Sequence, residues 1–181
     1  MKKFVIILFV AIFGSSFSFA QELKFGHVNM QEVIFLMDEM DSAQVVLEKF
    51  SKELQETFVS MQQEFQAKVQ NYEQMSANWT PAVIEAKTQE LESMQQRLQQ
   101  FQASAQQDLQ AKQQELLAPI QARAFEEVTA VGKANGLVYI FDLSAGSVCY
   151  FDETRSVDVT DMLKVALNIP PGKKMKQPVM Q

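Results

Sequence analysis

The side chains best suited to covalent or metal chemistry are scarce in this sequence. His27 is the only histidine and Cys149 the only cysteine among 181 residues. One His cannot form a metal site that needs several histidines. No Gly-x-Ser-x-Gly motif is present, so the sequence does not indicate a catalytic Ser–His pair either. One Cys cannot form a disulfide within the chain. We therefore expect no enzyme, metal site or cofactor. We interpret His27 as a structural residue of a strand and Cys149 as a small buried hydrophobic residue.

Residues 1–20 have the pattern of a cleaved secretory signal. Residues 1–3 are a short basic stretch, residues 4–13 are apolar, and Ser18 and Ala20 place small side chains at the −3 and −1 positions of a cleavage site after Ala20. The apolar stretch is too short to span a bilayer comfortably, although a retained membrane anchor is the alternative. The pattern predicts an exported protein.

The net charge argues against a nucleic-acid partner. Signal cleavage would remove Lys2 and Lys3 and take the net charge from −6 to about −8. A nucleic-acid-binding protein would show a basic face, which this sequence lacks. The only basic cluster, at Lys173, Lys174 and Lys176, lies in a segment that contains proline. We expect residues 170–181 to be a flexible tail.

The middle of the chain, residues 42–131, predicts two long helices. From residue 47 to residue 72 the apolar side chains recur at steps of three and four that repeat every eleven residues. This period favours a nearly straight or slightly right-handed pairing of helices. Asp38, Asp41 and Ser42 are the candidate N-caps of the first helix. Each helix would be about 50 Å long at 1.5 Å per residue.

A short break separates the two predicted helices. Thr80 and Pro81 are typical of a helix start, so the first helix should end near Ser76 and the second should begin near Pro81. A connection this short predicts antiparallel helices, with the tip of the hairpin near residues 76–81. The second helix should continue to about Asn135, and Pro119 should kink or break it.

The two ends of the mature chain, residues 21–41 and 132–169, are predicted to form one small β-rich body. Residues 24–30 are typical of a strand and residues 31–37 of a brief helix. Residues 137–142 are typical of a strand, with residues 147–151 as its expected hairpin partner. A short helix capped at Thr160 should follow a turn at residues 152–155.

The strand at residues 137–142 is apolar on both faces. Strict alternation puts Leu137, Tyr139 and Phe141 on one face and Val138 and Ile140 on the other. The short helix can cover one face, so we expect the other to meet another copy of the chain. The candidate interface residues are Phe25, Val28, Val138, Tyr139, Ile140 and Tyr150.

Taken in order, these segments resemble the Skp/OmpH family of periplasmic chaperones, in a Bacteroidetes-like version. The resemblance rests on the signal peptide, the strand ending at residues 28–30, the long Gln-rich hairpin, the stretch LLAPIQARAFEEVTAVGKANGLVYIFD and the closing SVDVTDMLKVAL. It implies an α+β fold and a jellyfish-like homotrimer, in which three helical arms project from a β-rich body around a cavity. It also implies an ATP-independent holdase in the periplasm of a Gram-negative bacterium that binds unfolded outer-membrane proteins without a cofactor.

The helical arm departs from the basic character of well-studied family members. Residues 42–131 hold seven Lys or Arg against twelve Asp or Glu, so we carry over no lipopolysaccharide site and expect no electrostatic capture of acidic clients. Gln, a helix former without net charge, fills most polar positions of residues 95–117. A Gln-coated arm with sparse Phe and Met would hold an unfolded chain weakly. The alternative function is a periplasmic coiled-coil structural or adaptor protein that binds a folded partner.

Two interpretations compete for the apolar residues of the arm. The candidate client contacts are Met75, Trp79, Val83, Met61, Phe65, Met94 and Phe101. For Met61, Phe65 and Phe101, packing between the two helices is the favoured interpretation. For the three residues near the tip, client contact and packing are equally favoured. We expect no stable membrane insertion once the signal has been cleaved.

Overall fold

The computed structural model describes residues 23–174, so the predicted signal peptide lies outside the described part. Two helices of 38 and 54 residues dominate the chain, and a three-stranded sheet is small beside them. The fold class is therefore α+β, as predicted. The elements in chain order are β1 (Lys24–Val28), α1 (Met30–Leu36), α2 (Asp38–Met75), a 3-10 turn (Ser76–Asn78), α3 (Pro81–Ala134), β2 (Leu137–Asp142), β3 (Ser156–Asp158) and α4 (Thr160–Ala166).

Local signals place most of the helix ends correctly. The break between α2 and α3 falls at the predicted position, with Thr80 in an extended conformation before Pro81. At the other end of α3, the Asn135 side-chain amide donates to the Val131 carbonyl at 2.8 Å, and Gly136 adopts a left-handed φ of 63°. That conformation costs glycine little, which is why the helix ends there.

Two helix predictions are wrong, and the predicted break at Pro119 does not occur. The helix α3 continues without interruption through Pro119: the ring removes one backbone hydrogen bond, while Ile120 and Ala124 just beyond it are buried in the core. The predicted kink at Pro119 stays a prediction. The helix α2 begins at Asp38 after Met37, so the predicted caps Asp38, Asp41 and Ser42 all lie inside the helix rather than before it. Acidic residues in its first turn still interact favourably with the helix dipole. Thr160 was predicted to cap α4, but it is the first residue of that helix. The side chain that accepts from the Thr160 N–H, at 2.9 Å, belongs to Asp158.

The long helices α2 and α3 pack against each other far beyond the body. Along this contact, the residue number on α3 falls as the number on α2 rises. The pairs are the Glu39–Arg123 ion pair, the stacked rings of Phe58 and Phe101, the Lys68–Glu90 ion pair and the hydrogen bond between Tyr72 and Thr88. We call the apolar side chains between the two helices the arm seam.

The arm seam is only half-buried. Between residues 44 and 119, all of which the structure describes, Met94 alone is buried, at 3% exposure. Each helix has only one narrow apolar stripe, so packing the two helices together buries only part of each apolar side chain. The arm therefore keeps apolar side chains partly accessible along its whole length.

The sheet has the order β2-β1-β3, and both outer strands run parallel to β1. The predicted hairpin partner at residues 147–151 is therefore wrong, since those residues form no strand and β3 lies further on. Parallel strands need a long crossover, which α1, α2 and α3 provide between β1 and β2. Outside the sheet, Cys149 is exposed, so its predicted burial is also wrong.

A β-bulge changes which side chains of β2 face the core. Lys24 pairs with Leu137, but the next residue, Phe25, pairs with Tyr139, so Val138 is the extra residue. The bulge puts Leu137 on the same face as Ile140, and both approach the space above Gly26. The predicted alternation is therefore wrong for Leu137 and Val138, although Tyr139 and Phe141 do share the opposite face.

The core lies between the inner face of the sheet, α1, the base of α2 and α3, and α4. Its fully buried side chains include Val28, Val33, Met37, Val159 and Leu163. Val28 was expected at an interface between copies, and this expectation is wrong. At 1% exposure it packs inside its own chain, because alternation in β1 turns it towards the helices.

The residues after α4 are tied to the body as far as the structure describes them. Ile169 is buried in the core, and the Lys173 ammonium contacts the carboxylates of Asp38 at 2.6 Å and Asp41 at 2.9 Å. Within the predicted flexible tail, Lys173 is thus held against the body by these ion pairs, and the flexibility of residues 170–174 stays a prediction. Residues 175–181 lie outside the described part.

Asp142 joins the end of β2 to the start of α1, and its replacement by Ala should destabilise the body. Its Oδ1 accepts from the Met30 N–H at 3.1 Å, the Ser144 N–H at 2.9 Å and the Ser144 hydroxyl at 2.7 Å. We expect the free energy of unfolding at pH 7 to fall by about 1–3 kcal/mol, the usual range for lost hydrogen bonds to a charged group.

The pH dependence of that loss follows from the Asp142 pKa. Burial raises this pKa, but the hydrogen bonds from Ser144 and Met30 outweigh burial and lower it. The stabilisation is therefore present above the ordinary Asp pKa and disappears as pH falls through the lowered value. Chemical denaturation across pH 3–7 (roughly the range that brackets the ordinary Asp pKa) should show the difference from wild type shrinking towards acid. Asp152→Ala is the matched control, since Asp152 makes the same turn with Thr154 but holds no helix. An equal loss in both variants would contradict this role for Asp142.

Candidate functional site

The outer face of the sheet carries three aromatic rings in mutual contact. Phe25 stacks on Tyr139 with centroids 6.3 Å apart, and Phe141 lies 6.3 Å from Phe25 and 6.1 Å from Tyr139. Tyr139 is 60% exposed and Phe141 is also exposed. We call these three residues the aromatic face. An exposed apolar cluster of this kind marks an interaction surface.

The aromatic face continues into an open cavity of about 610 Å³ beneath the irregular segment that follows β2. Phe25, Phe141 and Phe151 contribute aromatic walls, and Arg155 lies at the cavity as well. His27 borders this region: its ring lies 4.6 Å from that of Phe151, and its Nδ1 is 2.8 Å from the Ser156 hydroxyl. His27 lies in β1, so its predicted place in a strand is confirmed.

The structure brings some of the predicted interface residues together and separates others. Phe25 and Tyr139 are neighbours on the aromatic face, and Val138 is exposed at the bulge beside them. Tyr150 is 84% exposed on the irregular segment. Ile140 points inward and is half-buried against the core, so it does not belong to the outer surface.

A second apolar surface lies at the far end of the arm. Met75 and Val83 flank the 3-10 turn and are both exposed. Trp79, the third candidate there, is half-buried because its ring packs edge-on against Tyr72 at 5.6 Å. We call Met75, Trp79 and Val83 the tip cluster.

The remaining client-contact candidates lie in the arm seam. Met61 and Phe65 are half-buried, and Phe101 stacks on Phe58 with centroids 6.4 Å apart. Met94 is buried, so its predicted client contact is wrong, because its side chain has almost no accessible surface that a client could contact. The first three keep some surface, since this part of the arm seam is open.

Sequence reasoning missed an ion pair that joins the two helices near the tip. Glu90 contacts Lys68 on α2 and Lys87 on its own helix, the latter at 2.8 Å. Hydrogen bonds from Lys68 and then Lys87 lower the pKa of Glu90 to about 2, and the Glu90 hydrogen bond raises the pKa of Lys68. The sequence does contain a signal for this ion pair. Lys68 and Glu90 lie at equal distances before and after Trp79, so two helices that turn back at Trp79 bring the opposite charges level with each other.

Other exposed apolar residues also escaped sequence reasoning, because single side chains off the main stripe give no periodic signal. Val45, Phe125 and Val165 are more than half exposed, Val46 lies exposed near the base of the arm, and Val59 lies exposed midway along α2.

Residues 23–174 hold no cluster of three or more His, Cys, Asp or Glu side chains arranged to hold a metal ion. Within the same range, none of the helices combines the length and the apolar character needed to cross a bilayer.

Comparison with known proteins identifies the family. The model of the family described as outer membrane protein (OmpH-like) matches residues 24–167. No curated protein matches the chain. The family match includes every strand and helix of the structure, from the first residue of β1 to the last of α4. The chain therefore belongs to the Skp/OmpH family.

Proposed function

We propose that this protein is an ATP-independent holdase that binds unfolded outer-membrane proteins in the periplasm and prevents their aggregation. One observation carries the proposal: a member of the OmpH-like family has a long helical arm whose apolar seam stays half-exposed. Apolar surface that is neither buried nor fully open suits weak contacts with many unfolded sequences.

The proposed assembly is a homotrimer formed through the bodies, with three arms around a cavity. In each chain the arm is an antiparallel hairpin of residues 42–131, and the body combines residues 21–41 and 132–169. The aromatic face supports an assembly through the sheet, because two of its three rings, those of Tyr139 and Phe141, remain exposed in a single chain. A signal peptide at residues 1–20 would direct export and then be cleaved.

Holding would depend on many weak contacts. A well-buried apolar side chain contributes about 1.5–3 kcal/mol, and a partly exposed one contributes less. Several such contacts on three arms act together through their high effective concentration, while each one separates quickly. Met adds adaptability because its side chain is flexible and polarisable.

A test of this function measures client breadth. The mature protein, without nucleotide, should suppress light scattering by at least two unrelated β-barrel proteins diluted from denaturant, when one assembly is present per client. A coiled-coil spacer or adaptor would instead bind one folded partner and leave both scattering curves unchanged. That result would overturn the holdase proposal. The assembled mass measured on the same sample tests the trimer separately.

A further inference from the structure

A single residue, Met37, joins α1 of the body to α2 of the arm. Its backbone is extended, with φ −68° and ψ 142°, and its side chain is buried in the core. Met37 makes no side-chain hydrogen bond that caps α2, so the first turn of this helix is not fixed by a cap of the usual kind. We call this joint the elbow.

The other helix of the arm is weakened close to the elbow as well. Pro119 has no N–H, so α3 lacks one backbone hydrogen bond there. Pro119 also lines an open apolar cavity of about 400 Å³ together with Ala43 and Val46 of α2. The base of the arm is therefore incompletely packed, and both helices can change direction here more easily than in the middle of the arm.

A short turn after α4 reaches the arm at this level. Ile169 is buried in the core, and the residues after it fold back in a turn in which the Lys173 N–H donates to the Pro170 carbonyl at 3.2 Å. Gly172 has a φ of 77°, which is typical of the third position of a type II turn, and Pro171 suits the position before it. The core and the turn together leave Lys173 little freedom.

Lys173 pairs with two carboxylates in the first turn of α2. Its Nζ lies 2.6 Å from Oδ1 of Asp38 and 2.9 Å from Oδ2 of Asp41, and only 17% of its side chain is exposed. Burial lowers the pKa of Lys173, but its hydrogen bonds to the two carboxylates outweigh burial and raise it. The ammonium is therefore charged at neutral pH, and salt screens a partly buried pair less than an exposed one.

A second ion pair lies on the body side of the elbow. Lys164 of α4 contacts Glu32 of α1 at 3.2 Å. The elements from α4 onwards therefore hold the chain on both sides of Met37. We propose that residues 170–173 are an ionic splint, which holds the first turn of α2 through Lys173 and thereby fixes the direction of the arm relative to the body. The family match ends at residue 167, so the splint lies outside the matched part.

Thiol accessibility at the elbow tests the splint in the mature protein. In a Cys149→Ser background, Met37→Cys reacts only when the elbow opens, because position 37 is buried. Lys173→Gln should raise the alkylation rate at position 37 about tenfold, which is the low end of the usual effect of losing hydrogen bonds to charged groups. Lys174→Gln, at an exposed position, should change it by about twofold at most. An unchanged rate in Lys173→Gln would overturn the proposal.

A second thiol probe separates opening of the elbow from unfolding of the whole body. Val33→Cys places a thiol at an equally buried position of α1, on the body side of the elbow. Lys173→Gln should leave the rate at position 33 within about twofold of the value with Lys173, because opening of the elbow is local. Rates that rise together at positions 33 and 37 would mean that Lys173 stabilises the body as a whole, and the splint would then be wrong.

The direction of the arm is measured with spin labels on Val165→Cys in α4 and Gln62→Cys in α2, both at exposed positions. Labelled chains are diluted with excess unlabelled Cys149→Ser chains, so that each measured distance lies within one chain. Lys173→Gln should broaden the distance distribution, whereas Lys174→Gln should not. A distribution as narrow as that with Lys173 would show that the splint does not set the direction of the arm, which also contradicts the proposal. None of these measurements involves a client, so the splint and the holdase function are tested separately.

Discussion

Lysine in place of Tyr139 should reduce the assembled protein to single chains at micromolar concentration. Tyr139 is the most exposed ring of the aromatic face, and it contacts both Phe25 and Phe141. If bodies associate through this face, the ammonium would be buried among apolar rings without a partner, which costs several kcal/mol. The loss recurs at each copy of the interface, so the effect should be close to complete dissociation.

The measurement is the mass of the assembly by multi-angle light scattering, with circular dichroism to confirm that the helices are kept. Val165→Lys is the matched control, because Val165 is an apolar residue that is even more exposed than Tyr139 and lies on α4 rather than on the sheet. We expect the control to keep the native mass. If Tyr139→Lys also keeps it, the copies do not meet at the aromatic face, and Tyr150→Lys would then test the irregular segment.

Replacing the tip cluster by serine should weaken client holding without disturbing the body. Met75 and Val83 are exposed, and Trp79 covers the end of the arm seam. Three side chains are lost on each arm of the proposed trimer, and each contributes less than the 1.5–3 kcal/mol of a fully buried residue. Because the contacts act together, we expect client affinity to fall by about tenfold or more.

The control for the tip cluster is a second triple variant in which the exposed Gln70, Gln74 and Gln89 become serine. It introduces the same number of serines in the same part of the arm and should leave affinity within about twofold of wild type, since no apolar surface is removed. Equal affinity for wild type and the tip variant would show that clients do not touch the tip.

Salt distinguishes apolar holding from capture by charge. The arm is acidic, with twelve Asp or Glu against seven Lys or Arg in residues 42–131, so it should repel acidic clients. Salt screens this repulsion over a Debye length of about 8 Å at physiological ionic strength. Wild-type affinity should therefore change little with added salt, or rise. A steep loss of affinity with salt would show that basic side chains capture the client, and apolar holding would then be wrong.

The sequence by itself determined the features that depend on neighbours along the chain. Pro81 and Asn135 bound α3 where local rules put them, and the repeat of apolar residues in α2 fixed which side faces its partner. Helix ends and helical stripes are encoded within a few residues, so they can be read without the fold. The ordered segments over residues 24–167 were enough to indicate the family.

Only the tertiary structure decided how the distant chain ends combine. The pairing of β2 with β1 rather than with residues 147–151, and the bulge at Val138, depend on contacts between residues more than a hundred positions apart. The bulge turned Leu137 towards the core. Val28, which was predicted at an interface between copies, is instead buried inside its own chain. The same holds for Lys173, whose partners Asp38 and Asp41 come near it only after folding. Strand pairing and ion pairs are chosen by packing and burial across the whole body, which no local pattern records.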